Sequence, residues 1–204
     1  MATARDRLLL RLYLKRQSLS LTSASSAGII GTMATARASQ VDLSVTPYYH
    51  CMARCVRRAF LCGQDSYTGE DYEHRKDWVR DRLRFLASLF AIDVCAYAVM
   101  SNHLHVVLHV DAQRAASWSE ASLVARYTKL YPMAKAAWEA QLSAKERTAL
   151  AAIWRARLCD ISWMMRALNE FIARKANKED KVRGRFWEGR FKSQALLDEA
   201  GLLA

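Results

Sequence analysis

The chain has 204 residues, 52% of them hydrophobic, enough to bury a core in one domain with an appendage and too apolar for extended disorder. Lys and Arg total 31 against 20 acidic residues, and the resulting net charge of +11 favours a polyanionic partner, nucleic acid first and an anionic membrane surface second. No apolar run reaches the length of about 18 residues needed to span a bilayer. Five cysteines, at 51, 55, 62, 95 and 159, form no CxxC pair and do not make a disulfide framework, so a cytoplasmic location is expected.

In chain order, residues 1–32 carry five basic residues and only Asp6, followed by a Ser-rich stretch. That composition mimics a transit peptide. "MATAR" occurs at Met1 and again at Met33, which points equally to a start at Met33 and a main domain of 33–204. Removing the extension's +4 leaves +7, so the basic character belongs to the domain.

"TPYYHCMAR" predicts a first strand over Thr46 to Arg54, ending where Arg54, Arg57 and Arg58 gather. A polar loop follows, then "YEHRKDWVRDRLRFLASLFA", in which Trp78, Val79, Leu83, Leu86, Leu89 and Phe90 recur at helical spacing. "IDVCAYAVM" and "HLHVVLHV" read as two antiparallel strands joined by a tight turn, or as one strand broken at Ser101 and Asn102. Residues 112–159 are Ala-rich, and "SWSE" and "SAKE" read as capping boxes of an inserted helical pair divided near Pro132. "ISWMMRALNEFIARKANK" puts Ile161, Met164, Met165, Leu168, Phe171 and Ile172 on one stripe of a core-facing helix, and a last strand is expected after it. This order predicts an α+β fold with a ferredoxin-like antiparallel sheet backed by helices.

Side chains alternate along a strand, so His103, His105 and His109 share one face. Two imidazoles two residues apart can ligate one divalent ion, with Leu104 turned to the other face. Taken alone, HxH is a weak signal, because alternating polar residues are ordinary on a half-solvated sheet. His50 with Cys51, Cys55 and Cys62 matches no standard zinc-finger spacing and is read as a set of small buried thiols.

Three segments in order, "YHCMAR", "CAYAVMSNHLHVVLH" and "GRFWEGRFKS", resemble the single-tyrosine HUH transposases, including the REP-associated tyrosine transposases of bacteria. The similarity runs from about Pro47 to the end, with 112–159 as an elaboration. Met100, Asn102 and His103 agree with the usual Met-Pro-Asn-His, while Ser101 takes the proline's place. The resemblance implies metal-assisted cleavage and rejoining of single-stranded DNA: His103 and His105 hold Mg²⁺ or Mn²⁺, and a tyrosine on the late helix attacks phosphorus. It also implies a third ligand on that helix, for which Asn177 is the candidate, a solvated helix-end residue being the alternative.

Two departures qualify that reading. Ile172 stands where the family has its tyrosine, so either Tyr127 or Tyr131 substitutes or strand cleavage has been lost. Relatives also commonly continue beyond "LLDEAGLLA" through an apolar segment containing Asn-Pro, which leaves this C-terminus short against them. For DNA, expected to be single-stranded or a hairpin, Arg183, Arg185, Arg190 and Lys192 flank Phe186, Trp187 and Phe191. These cations can follow phosphates while aromatic faces stack on bases, or the rings can plug the core. Arg54, Arg57 and Arg58 form a second basic cluster; a homodimer is left open. The competing functions are a catalytically inactive nucleic-acid-binding module and a hydrolase that uses the same His pair with water as nucleophile.

Overall fold

The computed structural model describes residues 41–56 and 59–197. The extension over 1–32, the second start at Met33, Arg57, Arg58 and the C-terminal residues after Leu197 lie outside the described residues.

Strand β1 spans Tyr48–Arg54, with Tyr49, Cys51 and Ala53 buried and the residues between them turned outward. It begins two residues later than the sequence suggests because Thr46 acts as a clasp. Its hydroxyl accepts from Tyr48 N at 3.1 Å and donates to the Leu196 carbonyl at 2.7 Å. Helix α1, Arg75–Ala87, buries Val79, Leu83 and Leu86, and Leu89 and Phe90 continue the same apolar surface just past its end. Strands β2, Ile92–Val99, and β3, His103–Val110, form a hairpin, which decides between the two sequence readings; Met100 N donates to the His103 carbonyl at 2.8 Å across the turn.

Four helices, not two, occupy the insertion: α2 Ala112–Ser117, α3 Glu120–Leu130, α4 Ala134–Glu139 and α5 Ala144–Leu158. Trp118 and Ala140 adopt extended backbone, ending α2 and α4, and short-range caps restart the helices beyond them. Ser143 and Glu146 form the expected reciprocal capping box. In "SWSE" the N-cap is Ser119, not Ser117; its hydroxyl accepts from Ser122 N at 3.2 Å.

Helix α6, Ile161–Glu179, starts on the Asp160 carboxylate and buries Ile161, Met164, Met165, Leu168 and Ile172. Phe171 departs from the predicted stripe: it is 36% exposed, and the Arg82 guanidinium lies 4.7 Å from its ring centre. One residue from Ile172, it lies about 100° around the helix and falls off the stripe's edge. The helix closes with Val182 N donating to the Asn177 carbonyl and Lys181 N to that of Lys178, with Lys181 in the left-handed region at φ 54°. That is a Schellman termination in which lysine holds a position usually given to glycine.

Strand β4, Lys192–Ala195, completes a four-stranded antiparallel sheet of order β2-β3-β1-β4. With the insertion set aside, the chain order β-α-β-β-α-β on this sheet is the ferredoxin-like arrangement. One core unites the inner faces of β1 and β3 with α1, α6 and the inserted helices. Among the described residues no helix is long and apolar enough to cross a membrane.

Candidate functional site

On β3, Leu104, Val106, Leu108 and Val110 enter the core, so His103, His105, Val107 and His109 occupy the other face and are only half-buried. The pairing with β1 sets His103 opposite Arg54, His105 opposite Met52 and His109 opposite Tyr48. Met52 in turn pairs with Lys192 of β4, which puts Arg54 and Lys192 on the same face as the imidazoles. The rings of His103 and His105 stand 6.1 Å apart at a tilt of 42°. His109 is engaged elsewhere: its Nδ1 lies 3.2 Å from the Asp93 carboxylate, and its ring stacks obliquely on Tyr48 at 4.7 Å. Burial pushes the Asp93 carboxyl up, but hydrogen bonds from Arg114 and His109 and their charges outweigh it and leave the pKa lowered.

His50, for which the sequence supplied no pattern, belongs to this face. Its Nε2 lies 3.0 Å from His105 Nδ1, with the rings stacked at 5.1 Å and 14°. Burial first, and the neighbouring His105 second, lower its pKa, which keeps a nitrogen lone pair available at neutral pH. Alternation along β1 could have put His50 outward, but only the register, His50 opposite Val107, brings it diagonally onto His105.

Imidazole nitrogens at a half-exposed surface fit a divalent ion, with His103 and His105 as expected holders. They suit Mn²⁺ and later transition ions better than Mg²⁺. Among the described residues no group of three or more His, Cys, Asp or Glu is arranged to hold a metal. Cys51, Cys55 and Cys62 are buried thiols, turned away from His50 in the case of Cys51. Burial pushes the Cys55 thiol up to about 12.

Asn177 lies on α6, whose apolar face packs into the core beneath the sheet, and its Nδ2 donates to the Gly184 carbonyl at 3.0 Å. Ile172 is 0% exposed in that core. Tyr127 is 2% exposed, stacked on Trp154 at 4.4 Å, and its hydroxyl accepts from Arg157 at 2.9 Å. Tyr131 packs edge-on to Trp163 at 6.1 Å, and burial raises its pKa.

The basic segment divides in two. Phe186 and Phe191 are 3% and 7% exposed and serve the core, and Trp187 is half-buried with its indole N–H on the Asn169 carbonyl at 2.8 Å. Arg183, Arg185, Arg190 and Lys192 are exposed and form no ion pair among the described residues. Backbone bonds from Val56 to Phe186 and from Glu188 to Arg54 tie this segment to the end of β1. Beside that junction lies a cavity of ≈ 900 Å³, bordered by Arg54, Ser101, Asn102, Asn177 and Arg185.

No family model and no curated protein matches the chain. Among solved structures it is similar to a protein from Deinococcus radiodurans described as a "putative transposase", at 12% identity over 88% of this chain and 89% of that one, with a TM-score of 0.37. Likeness of this degree leaves function to the residues themselves.

Proposed function

We propose that the protein is a transposase-like protein that binds single-stranded or hairpin DNA across its open sheet face, with a divalent ion held there by imidazole. The observation that carries this reading is the shared face of His103 and His105, flanked by Arg54 and Lys192 on the adjoining strand β1 and on β4. When bound, the ion supplies charge neutralisation and polarisation at a phosphate. The chain's own part is positional: β3 fixes the imidazoles, the exposed Arg183, Arg185 and Arg190 follow the phosphates, and the cavity beside Arg54 and Arg185 offers room for an unstacked nucleotide.

Cleavage and rejoining through a phosphotyrosine is what the motif resemblance implies. A second reading, binding without cleavage, is favoured by Ile172 at the expected nucleophile position and by the engagement of Tyr127 and Tyr131 in packing. Incubation with hairpin single-stranded DNA and Mn²⁺, followed by a denaturing gel, separates the two. Retained DNA with no covalent adduct is the expected result. An adduct establishes the transposase reaction, and the absence of any DNA binding removes both readings.

A further inference from the structure

The ring nitrogens that meet on the open face are not those of the HxH pair. His50 Nε2 and His105 Nδ1 lie 3.0 Å apart across two neighbouring strands, with ring centres at 5.1 Å, against 6.1 Å between the ring centres of His103 and His105. Two nitrogens bonded to one ion at about 2.1 Å are themselves about 3.0 Å apart at right angles and about 3.4 Å apart at the tetrahedral angle. The two rings already have the spacing of adjacent ligands, and the strands that carry them are the two inner strands of the sheet.

We propose that His50 and His105 form the chelating pair of this face, and that the site takes a transition-metal ion such as Mn²⁺, Co²⁺, Ni²⁺ or Zn²⁺ in preference to Mg²⁺. The inference rests on the metal-binding part of the reading above and assigns it a different ligand set. In the metal-free protein one hydrogen is shared between the two rings, whichever donates it. Neither ring hydrogen-bonds a carboxylate among the described residues, and imidazole nitrogens as donors favour transition ions over the oxygen-seeking Mg²⁺. His109 stays outside the pair because Asp93 holds it.

The test uses the full chain, titrated with Co²⁺ followed by absorption and with Mn²⁺ followed by electron spin resonance. His50→Ala and His50→Gln are each expected to weaken binding by more than about tenfold, at least as much as the loss of an outer-shell partner of a ligand. His103→Ala is expected to weaken it less, and excess Mg²⁺ to leave bound Co²⁺ in place. In the unaltered protein, Zn²⁺ should shift the imidazole resonances of His50 and His105 together, which keeps the test independent of how the variants fold. Wild-type affinity in both His50 variants, or Zn²⁺ shifts confined to His103 and His105, overturns the inference and leaves the proposed function standing. If the wild type takes up none of these ions, the metal-binding reading fails with it, while DNA binding remains separately measurable.

Discussion

Arg75 shows how one side chain fixes a whole junction. It is 0% exposed, and it donates through Nε to Glu179 at 2.8 Å and through Nη1 to the Phe60 carbonyl at 2.7 Å, with a further ion pair to Asp180. Its guanidinium also lies 4.2 Å from the Tyr72 ring centre. The loop before α1 and the end of α6 are thereby joined through a charge that has left water, and removing one partner of such a group strands the rest. Because Glu179 and Asp180 keep partial contact with solvent, Arg75→Met should cost about 3 kcal/mol, at the low end for buried pairs. Urea denaturation measures it, and an unchanged midpoint would show the ion pairs to be inert. Nothing in "EHRKDW" distinguishes this arginine from its neighbours, because the carboxylates it pairs with lie more than a hundred residues away.

At the level of the element, α6 presents the sharpest contrast between pattern and role. Its apolar period was readable, and Ile161, Met164, Met165, Leu168 and Ile172 are all buried as that period requires. The same period puts Ile172 in the core under the sheet, while the imidazoles of β3 face the other way. Ile172→Tyr is therefore expected to lower stability by about 1–3 kcal/mol through overpacking and to yield no DNA adduct with Mn²⁺. A stable, adduct-forming variant would mean that α6 can turn its core face toward the site. Strand β3 was equally legible, since strict alternation determines which residues share a side. His50 was not, because its meeting with His105 depends on how far β1 slides along β3, and a slip of one residue would turn it to the opposite face.

For the molecule as a whole, net charge and its placement govern how DNA would be held. Arg54, Arg183, Arg185, Arg190 and Lys192 line one end of β1, the segment after α6 and the start of β4, and together offer up to five phosphate contacts. Counterion release then predicts a slope of about −3.5 in log affinity against log salt for single-stranded DNA, at about −0.7 per contact. Arg185→Ala should make that slope shallower by about 0.7, uniformly across sequences. Binding that does not respond to salt would exclude phosphate recognition.

The sequence by itself determined the periodicities: an outward row of imidazoles on β3, the buried stripe of α6, the box at Ser143, and a surplus of positive charge in the domain. These are local, since a side chain's direction follows from its position along its own strand or helix. The tertiary structure alone decided that His50 meets His105, that Asn177 donates to the Gly184 carbonyl, and that Phe186 and Phe191 fill the core while the intervening Arg190 stays in water. Each of those depends on strand register or on which surface of a segment another element covers, and neither is set by spacing along the chain.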